Sequence, residues 1–334
     1  IQLIMLWGWT WAEYGGDQSL NDWYELHDFI LSHDMSNPFI YQAVSAQYDV
    51  TSLVDYVVLN SYVVCSDWLN WNVGWWRGQN TEGSHKKWAY ILWDEDATFG
   101  HYINYTGIPA QSPYVSPCFP EDLDNDFSDP EGHIAVLNKL RTNAEFDQYY
   151  VSRYIDLMNT TFNDDYMINL LDSMAAIISV EMPQHVARWG GSFAKWQSNV
   201  QKIRDFITTR NGYIDYGLRE CYNLTGPYDI VVSAEPEGVG LVKVNSLEIS
   251  QFPWDAEYFG GIDVKLKAIE TNPYYEFDRW VLKNHAVSPS DTLKDVVLSL
   301  ISGDSIMALF KPRVFEDSLV INEINYNSDG SFDA

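Results

Sequence analysis

The hydrophobic period of the sequence changes near Gly226-Pro227, and this change constrains the fold more than any other feature. Between residues 133 and 221 apolar side chains recur every three or four positions, which predicts a series of helices. From 227 to 312 they alternate with polar side chains at every second position, which predicts half-buried β-strands. We therefore predict an α+β protein, with a mainly helical domain over residues 1–226 and a small all-β module over 227–312.

A third piece is predicted at the end of the chain. The length of 334 residues exceeds the usual size of one domain. The apolar stretch SLVINEINYNS (318–328) is typical of a first strand, and we assign residues 313–334 to the start of a further, truncated β domain. Because the chain also begins inside an apolar run at Ile1, we expect both ends to be cuts in a longer protein.

The charge balance excludes two classes of partner. The chain has 47 acidic and 20 basic residues, a formal net charge of −27. Such a protein repels phosphate backbones and anionic lipid, so we expect no nucleic-acid partner. No stretch approaches 18 consecutive apolar residues, so no membrane span is predicted. An acidic, aromatic-rich and lysine-poor surface is typical of secreted or cell-surface proteins, and we expect that location.

The three cysteines, Cys65, Cys118 and Cys221, are widely spaced and contain no CxxC pair. This spacing argues against a zinc site. It is compatible with one disulfide and one remaining thiol, and it does not determine which cysteines pair.

Local patterns place the chemistry on elements of the helical domain. Helices are predicted over 20–34 and 51–64, with Asn21 and Thr51 as their N-caps. The β-branched and aromatic run WAYILW (88–93) predicts a buried strand. Four further helices are predicted over 132–143, 145–159, 164–189 and 192–221.

Four polar residues near these elements suggest phosphoryl transfer. Asp67 and Asn72 form a D-x4-N pair after the second helix, and Asp94 and Asp96 follow the WAYILW strand. Phosphoryl transfer needs a carboxylate near the acceptor hydroxyl, and an amide and carboxylates that hold Mg²⁺ against the phosphates. Protein kinases supply these groups in the same order along the chain, and Gly100 closes the second segment here. The alternative interpretations are an Asx-capped turn for the first pair and a solvated strand end for the second.

The two runs that carry these residues resemble a known family. TSLVDYVVLNSYVVCSDWLNWNVGWWRG (51–78) and KKWAYILWDEDATFG (86–100) are similar to the CotH kinase family of spore-coat and bacterial surface proteins. The shared features are a helix, a turn with a key Asn, a strand that ends in Trp-Asp-x-Asp, and a Phe-Gly. The later helices also resemble the family's C-terminal helices, so the resemblance covers roughly residues 1–225.

The resemblance implies a fold and a reaction. The fold would be atypical protein-kinase-like, a mainly helical C-terminal lobe with a small β hairpin or sheet at the site. The reaction would transfer the γ-phosphoryl group of ATP to Ser or Thr of a surface or coat protein, with Mg²⁺ or Mn²⁺. By carry-over, Asp67 is the catalytic base, Asn72 a metal and cofactor ligand, Asp94 the principal metal ligand, and Asp96 a metal ligand beside it.

The sequence also departs from the family pattern. Cys65 stands where the family has Asn two residues before the Asp, and Glu95 replaces an apolar residue between the two aspartates. There is no GxGxxG, and Lys86 and Lys87 lie in a polar turn, so we expect the lobe that clamps ATP to lie upstream of Ile1. This fragment would then be inactive by itself.

A non-catalytic alternative stays open at this stage. It is a pseudokinase that serves as a cell-surface scaffold or glycan-binding module, with an association with cell wall or polysaccharide. The motivating features are Cys65 and the surplus tryptophans near the site, Trp68, Trp71, Trp75 and Trp76.

Three further expectations concern the rest of the chain. Asp122, Asp124, Asp126 and Asp129 lie in a Pro-rich loop, as either a Ca²⁺ loop or a solvated acidic loop, and the spacing is not that of an EF-hand. The β module resembles InlB-type bacterial surface repeats, which implies a spacer or adhesive role. The tail VINEINYNS resembles the opening of a lamin-tail-type β-sandwich.

Overall fold

The computed structural model describes residues 3–8, 11–69, 72–100, 112–120 and 129–314. It confirms the α+β class, with a helical part that includes one small sheet and a β part that follows it. Within the described residues the helices are α1 (Asp17–Ser32), α2 (Pro38–Ser45), α3 (Val50–Val63), α4 (His133–Leu140), α5 (Ala144–Met158), α6 (Asp164–Ser179), α7 (Met182–Trp189) and α8 (Phe193–Tyr222).

The small sheet is antiparallel, with the strand order β2-β1-β3-β4. Its strands are β1 (Leu3–Trp7), β2 (Trp11–Tyr14), β3 (Gly74–Gly78) and β4 (Ala89–Ile91). The expectation of a buried strand over 88–93 was wrong in extent and in burial. Strand β4 has three residues at the edge of the sheet; Trp88 before it is buried, whereas Leu92 and Trp93 are about half exposed. An edge strand has a neighbour on one side only, so the residues that follow β4 are open to solvent.

Helices α1 and α3 begin at other residues than their predicted caps. Helix α1 starts at Asp17, so Asn21 lies inside its second turn. Helix α3 is capped by Asp49, whose Oδ1 accepts the backbone N–H groups of Thr51 and Ser52 at 3.2 and 3.1 Å. Thr51 is therefore inside the helix, because the carboxylate two residues earlier satisfies the first N–H groups of the helix.

The predicted long helix over 164–189 is two helices. Helix α6 ends at Ser179, and α7 begins at Met182 with Pro183 in its first turn. Proline lacks an N–H and its ring clashes with the carbonyl four residues earlier, so Pro183 is tolerated only at a helix start. The short helix α2 was not predicted; Asn37 caps it, and Pro38 occupies its first position.

The β part is a sandwich of two four-stranded sheets, ordered β10-β12-β5-β8 and β11-β9-β6-β7. Strands β12 and β5 pair in parallel, and the other pairs are antiparallel. One face of β9 is buried at every second residue, as the alternation predicts. The strands are β5 (Thr225–Glu235), β6 (Gly240–Val244), β7 (Leu247–Ile249), β8 (Trp254–Gly260), β9 (Asp263–Glu270), β10 (Tyr275–Leu282), β11 (Asp295–Ser299) and β12 (Asp304–Pro312).

Helix α5 holds the sandwich against the helical part through Asp156. This carboxylate is fully buried and accepts four hydrogen bonds from the sandwich. The donors are the Asn245 amide at 3.1 Å, the Ser246 N–H and hydroxyl at 2.8 and 2.5 Å, and the Tyr258 hydroxyl at 2.8 Å. A buried carboxylate that accepts four hydrogen bonds fixes the contact, because a buried polar group left without its partners is costly.

A disulfide ties residues 112–120 to the end of α8. Cys118 and Cys221 are bonded, and Cys65 is the buried cysteine outside the disulfide, which is one of the arrangements that the cysteine count allowed. The guanidinium of Arg210, fully buried on α8, donates to the carbonyls of Pro113 and Val115. None of the helices within the described ranges combines the length and hydropathy that crossing a bilayer requires.

Candidate functional site

The site begins where α3 ends. Val64 adopts a left-handed backbone with φ 54°, and the Cys65 N–H donates to the Asn60 carbonyl at 3.0 Å. A β-branched residue in this conformation is strained by about 1–3 kcal/mol, and such residues are concentrated at functional sites. The turn directs the chain away from the helix axis and toward Asp67.

Asp67 and Asn72 belong to one closed loop. The Asn72 side-chain amide donates to the backbone carbonyl of Asp67 at 2.9 Å. The Tyr56 hydroxyl on α3 donates to the backbone carbonyl of Asn72 at 3.2 Å, which anchors the far end of the loop. Because the Asn72 amide nitrogen is used within the loop, its carbonyl oxygen is the atom suited to bind a cation.

Asp94 and Asp96 lie on the turn that follows β4, and both side chains are exposed. Asp94 has φ 54° and Phe99 has φ 55°, so three of the five left-handed non-glycine residues in the described chain lie in these two segments. The Thr98 hydroxyl donates to the Glu95 carbonyl at 2.8 Å and closes the turn.

Backbone hydrogen bonds place the two segments side by side. The Ser66 N–H and the Ser66 hydroxyl both donate to the Ala97 carbonyl, at 3.0 and 3.2 Å. The Phe99 N–H donates to the Val63 carbonyl at 2.8 Å. The structure therefore brings the segment with Asp67 next to the turn with Asp94 and Asp96, although the residues are almost 30 positions apart.

Cys65 and Glu95, the two departures from the family pattern, contact each other. The Cys65 thiol donates a hydrogen bond to the Glu95 carboxylate. Burial raises the pKa of Glu95 to about 7, the thiol opposes this shift, and the negative charge of Asp94 adds to it. A polar pair therefore lies beneath the exposed aspartates, where the family pattern has an asparagine and an apolar residue. Sequence reasoning missed this contact, and its only signal was that both positions deviate.

Two of the tryptophans near the site, Trp68 and Trp75, belong to the core. Trp68 and Trp75 are 1% and 0% exposed. Trp75 packs edge-on against Trp23 at 5.6 Å between ring centroids, and Trp23 packs in the same way against Trp88 at 5.5 Å. Trp76 is half-buried and Trp71 lies outside the described residues. Two of the four rings that motivated a glycan surface are thus buried and out of reach of a sugar.

The donor atoms at the site fit a hard divalent cation. The carboxylates of Asp94 and Asp96 and the amide oxygen of Asn72 are oxygen ligands, which Mg²⁺ and Mn²⁺ prefer. Within the described ranges, no three His, Cys, Asp or Glu side chains are grouped closely enough to hold an ion by themselves. Mg²⁺ in nucleotide sites uses one or two carboxylates and takes its other ligands from phosphates and water, so a site of this kind does not require three grouped acidic side chains.

Of the four aspartates in the predicted Ca²⁺ loop, the structure describes Asp129. Asp122, Asp124 and Asp126 lie outside the described residues. Asp129 caps α4: its two carboxylate oxygens accept the N–H groups of His133 and Ile134 at 2.9 and 2.8 Å. The role of Asp129 is therefore helix capping, which the sequence analysis did not predict.

A cleft of about 470 Å³ lies between α3, α5 and the end of β4. Its lining includes the apolar Leu59, Leu92 and Leu157, and none of the four candidate site residues. Arg153 on its wall is held by both oxygens of Asp55, at 2.6 and 3.1 Å. The cleft is therefore a neighbour of the site and not its centre.

Comparison with known proteins identifies a family for the helical part. The family model described as CotH kinase protein matches residues 10–214. This span covers more than half of the chain and contains all four candidate site residues. No curated protein matches the chain.

Proposed function

Because the chain belongs to the CotH kinase family, we propose that its helical part transfers the γ-phosphoryl group of ATP to Ser or Thr of a surface or coat protein. The observation that carries this proposal is a pair of backbone hydrogen bonds, from Ser66 to Ala97 and from Phe99 to Val63. It places the segment that contains Asp67 next to the Asp-x-Asp turn, and we propose that the side chains of the base, the amide and the two carboxylates meet there. A family alone does not define an activity, and the adjacency of these two segments is the independent support.

Each residue has a role that its position allows. Asp67 would accept the proton of the acceptor hydroxyl as it attacks, which requires a carboxylate held in a fixed orientation. The Asn72 amide holds the backbone of Asp67. Asn72, Asp94 and Asp96 would hold Mg²⁺ or Mn²⁺, which when bound neutralises charge on the phosphates.

The acidity of the chain supports metal dependence. With a net charge of −27 and exposed aspartates at the site, the protein repels a bare triphosphate. A bound cation is the largest local charge in such a site and reverses this repulsion. We therefore propose that nucleotide binds only together with a divalent ion.

The ATP clamp is proposed to lie outside the Lys86–Lys87 turn. Both lysines are exposed, and the Lys86 ammonium contacts the backbone carbonyl of Thr81 within the same turn. An ammonium held by its own turn is not available to a phosphate at Asp94. A lysine elsewhere in the natural protein would complete the cradle.

The β-sandwich is proposed to be an InlB-type spacer or adhesive module of a secreted or surface protein. The attachment through Asp156 supports a spacer that presents the kinase lobe in a fixed orientation. The proposed lamin-tail-type start over 313–334 lies almost entirely outside the described residues. The glycan-binding alternative loses part of its support, because Trp68 and Trp75 are buried.

The proposal is tested by phosphate incorporation in the natural protein that contains this chain. Asp94→Ala should abolish transfer of ³²P from labelled ATP to a coat or surface protein extract. Glu248→Gln, an exposed carboxylate on β7, is the matched control and should leave incorporation unchanged. Incorporation that persists in Asp94→Ala would contradict the assignment, and binding of an oligosaccharide panel without nucleotide binding would support the non-catalytic alternative.

A further inference from the structure

Helices α6 and α7 and the first half of α8 form an arm, residues 164–204, whose surface has no assigned role. No residue of α6 is buried, and the principal packing partners of α6 are α7 and α8. The base of the arm is firmly attached. Phe162 stacks on Tyr62 with 4.0 Å between ring centroids, and the Asn211 amide on α8 donates to the Phe162 carbonyl at 2.8 Å and to the Asp164 carboxylate.

Helix α6 has an open apolar stripe. The spacing of its members, four, four and three residues, places them on one face of the helix. The exposed fractions are 54% for Tyr166, 43% for Leu170, 56% for Met174 and 74% for Ile177.

A second apolar face of α6 is already used. Met167, Ile168 and Leu171 are half-buried, and α8 is the helix that α6 packs against. A helix that is apolar on two faces is typical of the interior of a bundle. The open stripe therefore has the character of a packing face that lacks its partner in one copy of the chain.

The exposed apolar side chains of the arm together reach the size of an interface. Val180, after α6, and Trp189, at the end of α7, are 71% and 70% exposed. At about 200 Å² for a large side chain, the four stripe residues and these two expose on the order of 700 Å². The largest apolar patch of a monomeric protein is about 300–600 Å², and a stable interface buries about 800 Å² per partner.

The two edges of the arm carry opposite charge. Residues 164–181 contain four acidic and no basic residues, whereas residues 182–204 contain four basic and no acidic ones. The second stretch is an exception in a chain with a net charge of −27. An ion pair between Asp172 and Arg204 joins the two edges within one copy, while Asp165, Glu181, Lys195 and Lys202 are on the surface.

We propose that the arm docks on the arm of a second copy of this chain. Helix α6 of one copy would pack its stripe on α7 and the start of α8 of the other, and a two-fold axis would repeat the contact. This arrangement covers the apolar stripe of each copy. It also places the acidic edge of each arm against the basic edge of the other. An isologous contact of this kind closes after two copies, so it gives a dimer and not a fibre.

Sedimentation equilibrium of the purified 334-residue chain tests the proposal. The chain has a mass of 38.5 kDa, so the dimer is expected at twice that value, about 77 kDa. Leu170→Glu with Ile177→Glu should give the monomer mass and weaken association at least about 100-fold, because each copy would bury two unpaired charges. Ile301→Glu is the matched control: Ile301 is 78% exposed on the sandwich, and this variant should remain dimeric.

A charge variant that keeps the apolar stripe intact provides a second test. Lys195→Glu with Lys202→Glu should weaken the dimer about tenfold in low salt, and Asp165→Lys added to them should restore most of the loss. Circular dichroism and the melting temperature of each variant establish that it is folded.

The outcomes that would overturn the proposal are specific. The proposal is overturned if the wild-type chain is monomeric at about 100 µM. It is also overturned if the Leu170→Glu, Ile177→Glu variant remains a dimer. Flotation with phosphatidylcholine and phosphatidylglycerol vesicles tests a bilayer as the occupant. If the wild-type chain is monomeric and floats with vesicles, and the Leu170→Glu, Ile177→Glu variant does not float, the arm binds a membrane and not a second copy.

Discussion

Helices α3 and α6 are similar in length and apolar content, but α3 is mostly buried and α6 is not. Helix α3 has 14 residues, nine of them buried, and it ends in the turn that leads to Asp67. Helix α6 has 16 residues and none is buried. Neighbours account for the difference: α3 packs against α5 and β4, whereas the principal partners of α6 are α7 and α8. The comparison shows that burial follows from the helix's place in the fold, and it is the enclosed helix α3 that leads to the candidate site.

The largest expected difference is in core stability. Leu53 on α3 is fully buried, and Leu170 on α6 is 43% exposed. Leu53→Ala should lower the free energy of unfolding by about 2–5 kcal/mol, because it removes packed methyl groups and leaves a cavity. Leu170→Ala should change it by less than about 0.5 kcal/mol. Urea unfolding at low protein concentration checks both; equal losses would contradict the contrast.

The next comparison concerns two aspartates on neighbouring helices. Asp156 on α5 is buried beneath the sandwich, and Asp172 on α6 makes an exposed ion pair with Arg204. Asp156→Asn should cost about 2–4 kcal/mol, because its amide cannot accept all four hydrogen bonds. Asp172→Asn should cost less than about 1 kcal/mol. Hydrogen exchange should show faster exchange in β6 and β8 for the first variant only; unchanged exchange there would contradict the described junction.

A smaller expected effect is the pH dependence of stability that Asp215, in the second half of α8, causes. Burial, and then the charge of Glu257, raise the pKa of Asp215 to about 6. Between its ordinary pKa near 4 and pH 6 the folded chain binds more protons than the unfolded one, so this carboxyl lowers stability as pH rises. Asp215→Asn should therefore stabilise the chain at pH 7, by about 1–2 kcal/mol after allowance for partial exposure.

The control for this prediction lies on the same helix. Asp205 is exposed on α8 next to the arm, and Asp205→Asn should leave the pH dependence of stability unchanged. Melting temperatures between pH 4 and 8 make the comparison. An Asp215→Asn variant that is no more stable at pH 7, relative to wild type, than at pH 4 would contradict the prediction.

The smallest expected effect is the coupling between Cys65 and Glu95. A double-mutant cycle with Cys65→Ala and Glu95→Gln should give a coupling energy of about 0.5–1 kcal/mol, since a thiol is a weak donor. The same cycle with Cys65→Ala and Glu181→Gln, an exposed residue after α6, should give none. A coupling of zero for the first pair would mean that the two departures from the family pattern are independent.

Local chemistry accounts for what the sequence predicted well. The alternation over 227–312 depends only on which face of each strand is buried, so an all-β module was predictable from the period alone, whereas the pairing of its strands into two sheets was not. Strand β8 follows this alternation only in its first part, because Tyr258 and Phe259 are adjacent and both buried. Pro183 was the overlooked signal for the break between α6 and α7.

Non-local contacts account for what was missed. The candidate site residues were chosen from their order along the chain and stay a prediction, but no local pattern shows that Ser66 pairs with Ala97 or that Cys65 reaches Glu95. The exposure of α6 was equally hidden, because its sequence has the apolar content of a buried helix. The fold around a helix, and not its composition, determines which of its faces is covered.

Isothermal titration of ATP into the natural protein that contains this chain, with Mn²⁺ or with EDTA, tests most directly that the α3 turn and the β4 turn form one metal-dependent nucleotide site. We expect heat of binding with Mn²⁺, none with EDTA, and at least a tenfold loss of affinity in Asp94→Asn. Glu248→Gln should bind as the wild type does. Binding that is equally tight with EDTA, or unchanged in Asp94→Asn, would contradict the account.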